Sequence, residues 1–142
     1  MSARSKARKR ALDVLYEADI RGVPAVDILA ATASRRSDEG QAALNEYAVE
    51  LVDGVVAHQG YIDELLGSYS MGWSLDRMPT VDRAILRIGA YELLWRDDVP
   101  DAVAISEAVN QAQELSTDES ASFVNGLLGR LAELKPRLVI EK

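Results

Sequence analysis

The chain has 142 residues, of which 48% are hydrophobic and 27% are charged, and it contains one histidine and no cysteine. A domain of this length buries roughly 68–70% of its unfolded surface, so a single domain with its own core is expected. The lack of cysteine excludes disulfides, thiolate nucleophiles and cysteine-ligated zinc sites. No apolar run approaches the ~18 residues of a membrane span, and no apolar segment of a signal peptide follows the basic N-terminus. We therefore expect a cytoplasmic protein without membrane contact.

The net charge of −7 conceals an uneven distribution along the chain. The first ten residues contain no acidic side chain and carry a charge of +5 from Arg4, Lys6, Arg8, Lys9 and Arg10. The other 132 residues hold 11 basic and 23 acidic side chains, a net charge of −12. A concentrated basic end on an acidic body is typical of a nucleic-acid-binding arm. A solvated, frayed terminus has the same pattern, and charge alone does not distinguish the two.

The basic segment continues into a predicted helix over residues 4–20. Its apolar face contains Ala7, Ala11, Val14, Leu15 and Ala18 at helical spacing. The second half of this helix should therefore be anchored in the core, and an anchored helix presents its cations at defined positions. A Gly-Val-Pro sequence at 22–24 ends the helix.

The next part of the chain is less regular. A short helix is predicted at about 26–34, followed by a polar break over 35–40 and a longer helix over 41–58. Gly60 is expected to separate a short helix at 61–66, and residues 67–78 form an aromatic connector. Glu46, Glu50 and Asp53 lie on one face of the longer helix. No other chemical group converges on them, which favours a solvated face over acid–base or metal chemistry.

Residues 80–95 form the most apolar helix of the sequence, and such a helix belongs at the centre of a helical protein. Pro79 and Thr80 supply the start signal, with the Thr hydroxyl as a possible cap. Gly89 costs about 1 kcal/mol of helix propensity and therefore predicts close backbone packing. Arg83 and Arg87 share one stripe. We expect Arg87 to form an ion pair with an acid such as Glu92 or Asp53.

Two further helices complete the pattern. One begins between residues 101 and 106 and ends at 115, and the other follows a polar link at 116–119 and stops at Pro136. Residues 137–142 are predicted to be a loose tail. The fold class is therefore all-α, with six or seven helices around the central helix in a single domain over 1–136. A hinge near 67–79, with subdomains over 1–70 and 71–136, is conceivable.

The sequence offers little catalytic chemistry. His58 is the only histidine and has no cysteine partner, and neither GxGxxG nor GxxxxGK[ST] is present to hold a phosphate. We expect no catalytic residues, no metal and no cofactor, so the chain is interpreted as a binding module.

Six segments together resemble the NusB family of transcription antitermination factors. They are 8–16 (RKRALDVLY), 51–55 (LVDGV), 73–77 (WSLDR), 82–93 (DRAILRIGAYEL), 103–109 (VAISEAV) and 123–126 (FVNG). They occur in the family's order over nearly the whole chain. The resemblance implies two packed helical bundles. It also implies a factor that binds boxA RNA of nascent ribosomal transcripts together with the small-subunit ribosomal protein NusE, and that acts with NusA and NusG on RNA polymerase.

The resemblance also implies roles for particular residues. The RNA-facing candidates are Arg4, Lys6, Arg8, Lys9 and Arg10. Phe123 is a weaker candidate, because stacking of a base on its ring competes with core packing. Tyr16 and Asp82 match positions near the NusE contact.

Three other interpretations are considered. The chain could be a purely protein-binding helical scaffold whose basic end is merely solvated. It could resemble the NusB-like domain of some RNA cytosine methyltransferases, but that enzyme needs a following catalytic domain and a nucleophilic cysteine, neither of which we expect here. A homodimer is also possible, and it could occupy the face that NusE needs.

Overall fold

The computed structural model describes residues 2–140; Met1, Glu141 and Lys142 lie outside the described residues. Within this range the chain forms six α-helices and two short 3-10 turns, at Leu75–Arg77 and Lys135–Arg137, and no strand. The all-α prediction is confirmed. The helices are α1 (Ala3–Arg21), α2 (Ala25–Asp38), α3 (Glu46–Tyr69), α4 (Thr80–Trp95), α5 (Asp101–Leu115) and α6 (Asp118–Leu134).

The predicted central helix is α4, with the predicted bounds. It packs against α1, α3, α5 and α6, and its residues from 84 to 94 are all buried. Gly89 has the expected close neighbours, because a Cβ atom there would lie 2.7 Å from Leu128 Cδ1 and 3.4 Å from the Cβ of Ala108. The glycine therefore lets α6 and α5 approach the α4 backbone, and this offsets its poor helix propensity.

The other helices form two groups around α4. In the first group α1, α2 and α3 pack on one another, and in the second α5 and α6 pack on each other and on α4. This arrangement agrees with the two bundles that the family resemblance implied. None of the helices in residues 2–140 has the length and apolar character needed to cross a membrane.

The prediction for the middle of the first group was wrong in two respects. α3 begins at Glu46 rather than at residue 41, with the Asn45 side chain accepting a hydrogen bond from the Tyr47 N–H at 2.7 Å. α3 also continues through Gly60, where the sequence suggested a break. The apolar stripe explains the continuation: Val55 and Ile62 are both fully buried and lie seven residues apart, so they share one face. Burial of that face outweighs the roughly 1 kcal/mol cost of one glycine.

α2 is longer than predicted and ends at Asp38, so part of the expected polar break is helical. Arg35 and Arg36 occupy its last turn, where cations interact favourably with the helix dipole. The Arg36 Nε–H donates to the Ala42 carbonyl at 2.8 Å and so ties the end of α2 to the connector before α3.

Ion pairs join α4 to the first group of helices. Arg87 donates to both carboxylate oxygens of Asp63 on α3, at 2.9 and 3.0 Å, and to Asp19 on α1 at 3.3 Å. Arg87 thus forms an ion pair as expected, but the expected partners Glu92 and Asp53 were wrong.

The start of α4 differs from the expected Thr80 cap. Pro79 occupies the N-cap position without a side-chain cap, and the hydroxyl of Thr80 accepts a hydrogen bond from Arg83 at 3.4 Å.

The predicted loose tail is partly ordered on the protein. Residues 135–137 form a 3-10 turn, and Leu138 and Ile140 pack against the core. Val139 is 79% exposed. The last two residues of the predicted tail lie outside the described residues.

Candidate nucleic-acid interface

The basic segment is part of a fixed helix. Ser2 caps α1 by accepting a hydrogen bond from the Ser5 N–H at 3.0 Å, and Gly22 ends it in the left-handed conformation at φ 65°. The apolar face of α1 is fully packed in the core, with Ala7, Ala11, Leu12, Val14, Leu15 and Ala18 all buried. The orientation of α1 therefore decides which of its basic side chains reach solvent.

Arg8 does not reach solvent. Its side chain is buried, and its Nε–H and Nη2–H donate to the two carboxylate oxygens of Glu92 at 2.7 and 2.9 Å. The Tyr47 hydroxyl donates to the same carboxylate, and Glu107 lies 3.4 Å from Arg8 Nη1. Arg8 therefore fastens α1 to α4, and we correct its expected role as an exposed RNA contact: the residue is 3% exposed, and its guanidinium is already paired with Glu92.

The buried cluster alters the acidity of its members. Burial by itself would lower the pKa of Arg8, but the hydrogen bonds and negative charge of Glu92 outweigh it, and the pKa of Arg8 is raised. Burial raises the pKa of the Tyr47 phenol, and the hydrogen bond to Glu92 and its charge raise it further. Tyr47 therefore stays neutral far into the alkaline range.

Arg4 is half-exposed and partly neutralised. Its guanidinium donates to Asp98 Oδ2 at 2.8 Å and lies over the Tyr47 ring, 4.1 Å from the ring centre. Arg96 lies over the same ring at 5.1 Å and also contacts Asp98. The hydrogen bond from Arg4 lowers the pKa of Asp98, with a further contribution from Arg96. Asp98 and the Tyr47 ring therefore fix the position of the Arg4 guanidinium.

Two other basic residues of α1 have no ionic partner among residues 2–140. Lys6 and Arg10 are exposed and lie one helical turn apart, whereas Lys9 forms an ion pair with Asp13 at 2.5 Å. Lys6 and Arg10 line a groove of about 410 Å³ together with Arg36. Among residues 2–140, no carboxylate lines this groove. We call it the α1–α2 groove; its remaining lining residues are Ala3, Ala7, Ala43, Leu44 and Asn45.

Phe123 is located on α6, which packs mainly on α5 and α4. Its partly buried ring meets Trp73 edge-on, with 5.1 Å between ring centres and an angle of 77°. Tyr69 is also partly buried. The ring of Phe123 thus packs the 70–77 connector onto α6, and its proposed contact with RNA stays a prediction.

Tyr16 lies on a different face. It is 41% exposed and lines a groove of about 250 Å³ between α1, α4 and α5. We call it the partner groove because it contains Tyr16, the residue expected to face a partner. Its apolar part consists of Tyr16, Leu12, Val81 and Leu115, and Lys9 and Asp13 also line it. Leu115 is 39% exposed.

Asp82 is not part of that surface. Its side chain is fully buried, and its Oδ2 accepts a hydrogen bond from the Ser120 hydroxyl at 2.7 Å. Its other oxygen, Oδ1, has no hydrogen-bond partner in the described residues. We therefore remove Asp82 from the expected partner contacts, since a side chain beneath α6 cannot meet a partner directly.

Comparison with known proteins decides the family. The model of the NusB family matches residues 5–133 of the chain. The chain belongs to the NusB family.

Its NusB relatives match over nearly the full length. A transcription antitermination protein NusB of Arthrobacter sp. (strain FB24) is 62% identical over 139 residues, covering 98% of this chain and 99% of the relative. The NusB protein of Streptomyces avermitilis is 55% identical over 139 residues, covering 97% and 96%.

Solved structures of NusB proteins have the same fold. NusB of T. maritima superposes with a TM-score of 0.80 at 32% identity, covering 96% of this chain and 99% of that one. A chain of the crystal structure of antitermination factors NusB and NusE in complex with double-stranded RNA superposes with a TM-score of 0.77 at 28% identity, covering 92% and 96%.

Sequence reasoning missed that Arg36 of α2 lines the α1–α2 groove. Arg35 and Arg36 were placed in a polar break, so nothing connected them with the basic residues of α1. The available signal was the pair of adjacent arginines in a short amphipathic stretch, which is also the composition of a helix C-terminus. The exposure of Leu115 beside Tyr16 also became visible only in the fold.

Proposed function

We propose that this chain is a transcription antitermination factor: a non-catalytic, cytoplasmic adaptor that binds boxA RNA of nascent ribosomal transcripts together with NusE. Through this complex it would act with NusA and NusG to help RNA polymerase resist premature termination. The observation that carries the proposal is the 62% sequence identity, over 98% of this chain, to a protein named as transcription antitermination protein NusB. The basic face of α1 on an acidic body provides independent physical support.

The proposed RNA contacts come from the solvent-facing side of α1. Lys6 and Arg10 are exposed and free of ion pairs within residues 2–140, and Arg4 and Lys9 are partly exposed. A fixed helix keeps these cations at constant spacing, which favours a defined register of the RNA backbone. Phe123 remains a candidate for base stacking, and Arg8 contributes by holding α1 in place.

The proposed NusE contact uses the partner groove around Tyr16. An exposed tyrosine beside apolar side chains is a common feature of protein interfaces, because its ring buries a large area at little entropic cost. Lys9 and Asp13 stand at the edge of the same groove as an ion pair. A bound NusE would therefore lie next to the cations of α1, so that one RNA strand could contact both proteins.

The test is RNA binding as a function of salt, measured by fluorescence anisotropy on boxA RNA with NusE present. Each neutralised phosphate of a single strand contributes roughly −0.7 to the slope of log K against log salt, so the four cations of α1 contribute about −2.8 to the total slope. Lys6→Gln with Arg10→Gln should flatten the wild-type slope by about 1.4. Arg21→Gln, at the other end of α1, is the matched control and should leave the slope unchanged.

A wild-type chain that captures NusE but adds no RNA affinity would contradict the proposal and favour the protein-binding scaffold. Light scattering with and without NusE tests the possible homodimer. A dimer that converts to a one-to-one complex would mean that self-association covers the partner groove.

A further inference from the structure

We propose that the α1–α2 groove holds the phosphodiester backbone of single-stranded RNA, so that the RNA path extends from α1 across to Arg36 on α2. This inference rests on the proposed function and adds a second wall to its RNA site. In the part of the chain that the structure describes, the groove is lined by the cations of Lys6, Arg10 and Arg36 and by no carboxylate. The chain as a whole has a net charge of −7, whereas the described lining of this groove carries three positive charges and no negative one.

Arg36 is positioned for this role by its own backbone contact. The Nε–H donates to the Ala42 carbonyl at 2.8 Å, which fixes the planar guanidinium while leaving its two terminal nitrogens without a partner among the described residues. A guanidinium that is already held loses little entropy when it binds a phosphate. Lys6 and Arg10 face it from one stripe of α1, so a strand in the groove would be neutralised from both sides.

A second groove, next to the α1–α2 groove, limits where the RNA strand can run. It shares Arg10 and Arg36 with the α1–α2 groove and adds Arg35, but Asp13, Glu17 and Glu39 line it as well. Three carboxylates beside three arginines leave no net attraction for an anion. The strand therefore occupies the groove bounded by Lys6 and does not continue past Arg35.

The experiment compares substitutions on the α2 side of the groove by anisotropy on boxA RNA with NusE present. Arg36→Gln should weaken binding roughly threefold at moderate salt and flatten the salt slope by about 0.7, the value for one phosphate. Arg36→Lys should restore most of the slope, because it keeps the charge. Arg35→Gln is the matched control and should bind as wild type.

A second variant avoids any effect of Arg36 on folding. Ala43 is exposed on the groove wall, so Ala43→Glu places a carboxylate in the groove without removing the Arg36–Ala42 bond, and Ala43→Gln controls for size. Ala43→Glu should weaken RNA binding and Ala43→Gln should not. The loss of affinity in Ala43→Glu, and that in Arg36→Gln, should disappear when the RNA is shortened from one end until it no longer reaches α2.

The outcomes separate this inference from the proposed function. If wild type fails to bind RNA, both are overturned. If Lys6→Gln weakens binding while Arg36→Gln and Ala43→Glu match their controls, only the path across α2 is overturned. If the two α2-side variants weaken capture of NusE without RNA, the groove is a protein contact and the inference is wrong.

Discussion

The buried ion pair between Arg8 and Glu92 gives a quantitative prediction for Glu92→Gln. Breaking a buried pair by removing one charge costs about 3–5 kcal/mol, because the other charge stays in the core. Arg8 keeps a second carboxylate, Glu107, at 3.4 Å, and the Gln carbonyl can still accept one of the two hydrogen bonds. We therefore expect the free energy of unfolding to fall by about 2–3 kcal/mol, below the full cost.

The assay is urea denaturation followed by circular dichroism. With an m-value of about 2 kcal/mol per molar urea, the midpoint of Glu92→Gln should fall by about 1–1.5 M. Replacing the whole cluster by apolar side chains (Arg8→Met, Glu92→Leu and Tyr47→Phe) should bring stability back to within about 1 kcal/mol of wild type, since no buried charge is then left unpaired.

Two results would refute this reasoning. A loss below about 0.5 kcal/mol for Glu92→Gln would mean that the pair is not desolvated as its burial implies. A triple variant less stable than Glu92→Gln would mean that packing, rather than charge, dominates the cluster. If the triple variant folds, apolar packing takes over the role of Arg8 in holding α1 in place, so its RNA binding should equal that of wild type.

Three further predictions concern single sites. Gly54→Ala should lower the free energy of unfolding by about 1–2 kcal/mol, because the new Cβ would lie 2.1 Å from Tyr91 Cζ and overpacking exceeds the gain in helix propensity; Tyr91→Leu in the same chain should relieve the loss when both are measured by urea denaturation. The raised pKa of Tyr47 predicts stability that is complete below pH 10 and declines above it, and Tyr47→Phe should remove that part of the decline in alkaline unfolding curves. The lowered pKa of Asp98 predicts stability that is present above about pH 4 and lost as pH falls further, so Asp98→Asn should flatten the acid limb, and a limb identical to wild type would show that the pair with Arg4 contributes nothing.

Much of the fold could be predicted because its signals are local. The apolar circumference of α4 and Pro79 before it appear within a short window of sequence, and α4 was predicted with its observed bounds. The break at Gly60 was predicted from the same local reasoning and was wrong. A single glycine is a weak signal beside the alignment of Val55 with Ile62 seven residues later.

The site was harder to predict because exposure depends on distant partners. Arg8 borders the apolar face of its helix, and only the carboxylate of Glu92, 84 residues away in sequence, decides that it turns inward. Asp82 is buried for a similar reason, since Ser120 approaches it from another helix. The role of Arg36 could not be seen at all, because the groove that it lines exists only when α2 lies beside α1.

The pairing of Arg8 with Glu92 also sets an order of events during synthesis. When α1 leaves the ribosome, its inward-facing guanidinium has no counter-charge, and α1 lacks the helix that must cover its apolar side. The 84 residues that separate the partners take roughly 4–17 s to add at about 5–20 residues per second. Until then α1 cannot hold its final orientation, so the proposed RNA-binding face of α1 is complete only after the chain has been translated beyond Glu92.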